Sequence, residues 1–94
     1  MIAGFRSRGL QRLYERGDRR RIPPDHLERI EDILALLDVA TGPRDINRPG
    51  LRLHQLRGNL AGFWSLTVSG NWRIIFRFND GDVVDVDYLD YHRG

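Results

Sequence analysis

Cysteine and lysine are both absent from this 94-residue chain. Without cysteine there is neither a disulfide framework nor a thiolate zinc site, and this composition suits a reducing compartment. No apolar run is long enough to cross a bilayer or to form the core of a signal peptide, so we expect a cytoplasmic protein with no membrane partner. The length predicts a single domain over residues 1–94, near the lower end of sizes that fold without staples.

The basic residues, 15 in number, are all arginine and are unevenly distributed. Seven of them precede Pro23, whereas five aspartates and a single arginine follow Phe78. This asymmetry predicts a basic surface for phosphates, since a guanidinium binds a phosphate through two parallel hydrogen bonds. A GC-rich genome is an alternative reason for the lack of lysine, but it does not explain the clustering.

Apolar residues at helical spacing predict two helices in the first half of the chain. The first runs from Ser7 to Arg16, with its serine as N-cap and Gly17 as the residue that ends it. The second begins at Pro24, carries an apolar stripe from Leu27 to Leu37, and ends before Thr41-Gly42-Pro43.

From Leu51 onward the apolar period changes to two, which predicts strands near 51–54, 63–68, 72–78 and 83–89. Ile2 and Phe5 are candidates for a further strand. Helices and sheet each have one apolar side to bury against the other. The predicted class is therefore α+β, with two N-terminal helices packed on one face of a twisted, mainly antiparallel sheet.

The turn between the last two strands sets their register. A two-residue turn at Asp80-Gly81 would place Phe76 opposite Asp85, so we predict a three-residue loop, 79–81, in which Gly81 forms a bulge. The predicted pairs are Phe76–Val84, Ile74–Val86, Trp72–Tyr88, Arg73–Asp87, Ile75–Asp85 and Arg77–Val83.

A similar loop over Ser69-Gly70-Asn71 is predicted to close the preceding hairpin, pairing Leu66 with Ile74 and Thr67 with Arg73. The sheet face away from the helices is then expected to be open and to hold the functional site. It carries Ser65, Thr67, Arg73 and Arg77.

Several residues could cleave RNA without a metal, which requires a base for the ribose 2′-hydroxyl, a cation for the phosphate and an acid for the leaving 5′-oxygen. His54 and His92 are the candidates for proton transfer. Arg73 is the candidate cation, with an ion pair to Asp87 as an alternative role, and Tyr91 offers a ring for base stacking. Spacing does not show that these residues meet, and a surface position without catalysis is an open alternative for each histidine.

Other polar groups point to no cofactor and no metal. His26, in the first turn of the second helix, is expected to be solvated and to have no role in the site. The histidines lack metal-ligand spacing, and the late aspartates lack the pattern of a calcium loop. The glycines of segment 58–62 lie between strands, whereas a phosphate cradle links a strand to a helix.

Ordered motifs extend over nearly the whole chain, in the segments Pro49–Gly58, Gly62–Ser65, Gly70–Phe78, Asp87–His92 and Gly9–Gly17. Together they resemble the HigB family of type II toxin–antitoxin toxins. The resemblance implies a RelE-like fold and cleavage of mRNA in the ribosomal A site, which leaves a 2′,3′-cyclic phosphate and a 5′-hydroxyl.

The resemblance also implies site residues. The strand histidine of the family matches His54, its C-terminal Asp-Tyr-His matches 90–92, and its sheet arginine matches Arg73. The implied catalytic residues are His54, Arg73, Asp90, Tyr91 and His92. The implied RNA-binding and phosphate-binding residues are Arg57 and Arg73, and Arg77 of the open sheet face is a further candidate for phosphate binding. Arg57 occupies a position that is often lysine in relatives, and its guanidinium cannot donate a proton at neutral pH. Which histidine is base and which is acid is left open.

The implied partners are a helix-turn-helix antitoxin of the HigA type, the A site of the 30S subunit with its mRNA, and operator DNA through the antitoxin complex alone. Two alternatives come from other functional classes. One is a ParE-like inhibitor of DNA gyrase without enzymatic activity, which would have no need of paired proton-transfer groups. The other is a degenerate toxin that only binds its antitoxin.

Overall fold

A computed structural model of the chain describes residues 1–91 and confirms the α+β class. The elements are α1 (Arg8–Arg16), α2 (Pro24–Val39), β1 (His54–Gln55), β2 (Trp64–Ser69), β3 (Trp72–Asn79) and β4 (Asp82–Asp90). The strands form one antiparallel sheet in the order β1-β2-β3-β4. Within the described range, neither helix is long and apolar enough to cross a membrane.

Both helices begin and end as their residues predict. The Ser7 hydroxyl accepts a hydrogen bond from the Leu10 amide at 3.1 Å and so caps α1. Gly17 ends this helix in the left-handed conformation, at φ 67°, and donates its amide to the Leu13 carbonyl. Pro24 occupies the first turn of α2, where its missing amide hydrogen costs no hydrogen bond.

The main core lies between the two helices and one face of the sheet. The helices contribute Leu10, Leu13, Ile30, Ile33, Leu34 and Leu37, and the sheet contributes Leu66, Val68, Ile74, Phe76, Val83 and Val86. Phe76 is fully buried in the middle of β3. The other face of the sheet is therefore the one available for a site.

The register predicted between β3 and β4 is wrong. The turn has two residues, Asp80 and Gly81, both at positive φ, and is flanked by the pair Asn79–Asp82. The unfavourable pairing of Phe76 with Asp85 does not occur. Asp85 adopts a left-handed φ of 55°, and the register shifts by one residue there. The observed pairs beyond the shift are Ile75–Asp87, Ile74–Tyr88, Arg73–Leu89 and Trp72–Asp90.

The pairs predicted between β2 and β3 are confirmed, with Leu66 opposite Ile74 and Thr67 opposite Arg73. The predicted three-residue loop is wrong, because a register shift after Thr67 brings Ser69 opposite Trp72. A two-residue turn of Gly70 and Asn71 therefore closes this hairpin.

Two peripheral segments are less regular than predicted. The strand expected from Leu51 is reduced to β1, because Arg52 has a left-handed φ of 53°. Ile2 and Phe5 do not form a further strand, but each makes an isolated parallel bridge to β4, opposite Val83 and Val86.

His26 is not solvated, contrary to expectation. Its ring is only 8% exposed and packs edge-on against Trp72 and Tyr88. Its Nδ1 lies 2.5 Å from the Tyr88 hydroxyl. Burial, followed by the charge of Asp25, raises the pKa of Tyr88 to about 12, so this hydroxyl keeps its proton and can donate it to the ring. The sequence contained the signal, since His26 lies four residues before Ile30 on the apolar stripe of α2.

Candidate functional site

Half of the sheet face away from the helices is covered, so the expectation of an open face is wrong for that half. Ser65 and Ile75 are 0% and 1% exposed. The segment between β1 and β2 folds over them, and its Leu56 and Phe63 form a second small core with Ile75. Leu60 and Leu89 pack against this cluster. The rest of the face, toward Arg73, is less covered.

The Ser65 hydroxyl is buried under this cover with no hydrogen-bond partner among the described residues. An unpaired buried hydroxyl is destabilising because it loses its hydrogen bonds to water. We expect Ser65→Ala to raise the free energy of unfolding by about 1 kcal/mol, measured by urea denaturation, and to leave RNA cleavage unchanged. A loss of stability of this size would show instead that the hydroxyl has a partner in solution.

His54 lies exposed on the short edge strand β1, opposite Ser65. Its Nδ1 is 3.1 Å from the Arg52 carbonyl oxygen. A carbonyl only accepts hydrogen bonds, so Nδ1 must be the protonated nitrogen of this pair. In the neutral ring Nε2 is then unprotonated and can accept a proton from a substrate.

The loop that leads to His54 is held by an arginine of α2. The Arg29 guanidinium donates to the Gly50 carbonyl at 2.7 Å and to the Thr67 carbonyl at 3.4 Å. The Thr67 amide donates in turn to the Leu51 carbonyl at 2.7 Å. These bonds join α2, the loop and β2, and so fix the backbone immediately before His54.

Arg73 and Tyr91 are brought together at the other edge of this face. The Arg73 Cζ lies 5.8 Å from the centre of the Tyr91 ring. The Tyr91 amide donates to the Asn71 carbonyl at 2.6 Å, which extends the pairing of β4 by one residue. Arg73 Nη1 donates to the Gly70 and Trp72 carbonyls at 2.6 and 3.1 Å, so its Nε and Nη2 are not used in these bonds.

The alternative role of Arg73 as the ion-pair partner of Asp87 is not supported. The register places Leu89 opposite Arg73 and Asp87 opposite Ile75. Among residues 1–91, none of the ion pairs involves Arg73. Within the described range, the guanidinium therefore hydrogen-bonds to backbone carbonyls alone, and no carboxylate of residues 1–91 neutralises its charge.

The C-terminal run is divided between the two faces of the sheet. Asp90 is paired with Trp72, whose side chain packs on the helix side, so alternation along the strand puts Asp90 on that side and Tyr91 on the other. Asp90 is exposed. His92 lies outside the described residues.

The two remaining predicted phosphate-binding residues are both exposed but lie apart. Arg57 follows Leu56 in the covering segment, at the start of the turn Gly58–Leu60. Arg77 lies near the far end of β3, where its Nη1 is 3.4 Å from an oxygen of Asp85.

His54 does not contact Arg73 or Tyr91. Two strand spacings and two residues separate it from Arg73, which corresponds to about 12 Å between Cα atoms. The candidate site is therefore a shallow surface with a histidine on one side and an arginine–tyrosine pair on the other. A substrate would have to lie between them.

Comparison with known proteins agrees with this architecture. The YoeB–YefM complex from Staphylococcus aureus contains a chain that superposes with a TM-score of 0.63, at 13% identity and with 99% of each chain covered. Two helices on one face of a four-stranded antiparallel sheet thus define a RelE-like fold.

Sequence relatives identify the family within this fold. The family described as "RelE-like toxin of type II toxin-antitoxin system HigB" matches residues 3–92. Endoribonuclease HigB of Proteus vulgaris is 42% identical over 92 residues, which cover 98% of this chain and 100% of that protein. Toxin HigB-1 of Vibrio cholerae is 35% identical over 95 residues, with 99% of each covered. The chain belongs to the HigB family of type II toxin–antitoxin toxins, and its membership implies an antitoxin partner.

Proposed function

We propose that this chain, an endoribonuclease toxin of the HigB family, cuts mRNA in the ribosomal A site and does so in the cytoplasm. The observation that carries the proposal is the state of His54, an exposed histidine whose Nδ1–H is engaged by a backbone carbonyl. This bond leaves Nε2 as a base on the same sheet face as a cation, Arg73, which forms no ion pair with a carboxylate of residues 1–91.

The proposed reaction begins when His54 Nε2 takes the proton of a ribose 2′-hydroxyl. The 2′-oxygen forms a bond to the adjacent phosphorus, and the bond from phosphorus to the 5′-oxygen breaks. The leaving oxygen receives a proton from His92, the second histidine that the family resemblance implies for the site. The products are a 2′,3′-cyclic phosphate and a 5′-hydroxyl, and no metal takes part.

Arg73 is the proposed ligand of the scissile phosphate. Negative charge grows on the phosphate oxygens in the transition state, and the Nε and Nη2 donors of Arg73 can bind two of these oxygens at once. Tyr91 lies beside this guanidinium and can stack on a base. Arg57, on the segment after His54, adds a second positive charge. The Asp90 side chain faces the helix side of the sheet. Its proposed role is to orient a histidine of the site.

The exposure of the site supports dependence on the ribosome. The proposed groups lie on a shallow surface, and His54 and Arg73 do not contact each other, so they do not by themselves fix the position of a nucleotide between them. A reaction of this kind is fast only if the reacting atoms are held in line. The ribosome holds an A-site codon in a defined conformation and can supply the positioning that the toxin surface lacks.

The proposed antitoxin is a helix-turn-helix protein of the HigA type, and operator DNA is bound through the toxin–antitoxin complex alone. The sheet face that carries His54 and Arg73 is distinct from the face covered by the helices, so an antitoxin could bind on the helix side or over the site.

The proposal is tested with a defined mRNA and the purified chain. The two are incubated with and without ribosomes that hold a chosen codon in the A site. We expect cuts within the A-site codon when ribosomes are present, and at least about a hundredfold slower cutting of free RNA. Equal cutting of free RNA would contradict ribosome dependence. Absence of cutting together with inhibition of gyrase supercoiling would favour the ParE-like alternative.

A further inference from the structure

Three side chains from distant parts of the sequence meet at the end of β3 that is far from Arg73. Arg6, which precedes α1, has its Cζ 4.9 Å from the centre of the Phe63 ring. Arg77 of β3 has its Cζ 5.8 Å from the same ring. Phe63 is only 5% exposed, so the ring is a fixed surface against which both guanidiniums rest.

A carboxylate lies between the two arginines. Asp85 Oδ1 is 4.0 Å from Arg6 Nε, and Asp85 Oδ2 is 3.4 Å from Arg77 Nη1. This is the residue whose left-handed backbone shifts the register of β4, and such bulges commonly redirect a side chain. A left-handed conformation is unfavourable for a residue other than glycine, and here it accompanies a half-buried Asp85 side chain that lies between both arginines.

The cluster retains positive charge and free donors. Two guanidiniums and one carboxylate leave one net positive charge, and the arginine side chains are 51% and 47% exposed. Asp85 weakens the repulsion between the two cations and holds them side by side. A guanidinium has five N–H donors, so both arginines keep donors for another acceptor.

The cluster also lies on the face of the proposed active site. Arg73 and Arg77 are four residues apart on one strand, so they project from the same face at a separation of about 13 Å. Ile75 and the apolar side chains that pack around it lie between them. A single RNA strand that follows β3 could contact both ends.

We propose that Arg6 and Arg77 form a second phosphate-binding subsite, which holds the mRNA backbone on one side of the cleaved bond. This inference rests on the proposed function, since it requires mRNA on this face. The planar forks of two neighbouring guanidiniums fit the oxygens of a phosphodiester. The subsite is remote from the reacting atoms, so it contributes to binding of substrate and not to the chemical step. The many arginines before Pro23 were the sequence signal, but nothing in the sequence distinguished Arg6 among them.

The test compares Arg6→Gln/Arg77→Gln with a control of equal charge, Arg44→Gln/Arg48→Gln, whose two arginines are exposed and lie outside the cluster. Single-turnover cleavage is measured on ribosomes with a defined A-site codon. We expect the half-saturating toxin concentration to rise about tenfold for the first variant, with the maximal rate within about twofold of wild type. The control should match wild type. Thermal unfolding verifies that each variant is folded. If the glutamine variant does not fold, Arg6→Lys/Arg77→Lys takes its place, and its half-saturating concentration should lie between the wild-type value and a tenfold increase.

Neutral methylphosphonates placed singly on either side of the cleaved bond identify the phosphate that is bound. One position should weaken wild type about tenfold and leave the glutamine variant unaffected, because the contact is already lost. An unchanged half-saturating concentration would overturn the subsite. So would equal sensitivity of both proteins at every position, which would mean that the arginines contact ribosomal RNA or protein. Failure of wild type to cut at all would overturn the proposed function itself, and it would be seen before any variant is compared.

Discussion

Replacement of His54 with alanine is expected to slow single-turnover mRNA cleavage on ribosomes by about 10²–10⁴-fold. The substitution removes Nε2, the proposed base, while the ribosome continues to hold the mRNA. Because the ring is exposed and its one hydrogen bond within the described part of the chain is to the Arg52 carbonyl, the free energy of unfolding should change by less than about 0.5 kcal/mol. Rates from rapid mixing and urea denaturation measure the two quantities.

His26 provides a matched control for this experiment. It is a buried histidine on the helix side, so His26→Ala should remove packing and the bond to Tyr88, and should lower the free energy of unfolding by about 1–3 kcal/mol. Cleavage below the melting transition should be little affected. The opposite pattern, with His54→Ala within tenfold of wild type and His26→Ala inactive though folded, would contradict the assignment of the base.

Replacement of Arg73 with alanine is expected to lower the maximal cleavage rate by about 10²–10³-fold. The charge that develops on the scissile phosphate then loses the guanidinium that is proposed to bind its oxygens. Stability should fall by no more than about 1 kcal/mol, because the lost bonds are to the Gly70 and Trp72 carbonyls near the surface. The readout is the maximal rate at saturating toxin, measured with the unfolding free energy of the same preparation.

Arg73→Lys separates positive charge from geometry. Lysine keeps the charge but has no planar fork, so only part of the rate should return. A loss of rate that follows a loss of folded protein in both variants would show that Arg73 supports the hairpin and does not act on the phosphate. The contrast with Arg6 and Arg77, whose loss should affect affinity alone, distinguishes the two ends of the face.

Features determined by local sequence were predictable. The N-cap serine, the glycine after α1 and the proline at the start of α2 act within one turn, and each was confirmed. The β2–β3 pairs were also predictable, since Leu66 and Ile74 have only one register that buries both. The same helical period places His26 in the core, because it lies four residues before Ile30 on the apolar stripe. The polarity of its ring pointed to solvent instead.

The register of β4 could not be predicted because it depends on a bulge. Val83 and Val86 are both fully buried although they are three residues apart, which simple alternation forbids. A left-handed conformation at Asp85 makes this possible, and no rule of turn chemistry requires it at an aspartate in that position. The predicted pair Arg73–Asp87 failed for this reason.

The candidate site was predictable only in part. The face that bears Arg73 followed from alternation, and the importance of His54 came from resemblance to the family. The cover over Ser65 and the meeting of Arg6 with Arg77 depend on contacts between segments far apart in sequence. Such contacts leave no periodic signal in the chain.

The most direct test of the proposed chemistry replaces one atom of the substrate. Ribosomes are loaded with two mRNAs that differ only at the nucleotide before the cleaved bond, which carries either a ribose 2′-hydroxyl or a 2′-hydrogen. If the 2′-oxygen is the nucleophile, the toxin cuts the first mRNA to give a 2′,3′-cyclic phosphate and leaves the second intact at that bond. Cleavage of the deoxy-substituted mRNA at the same bond would contradict the mechanism, because water or another nucleophile would then have attacked the phosphorus.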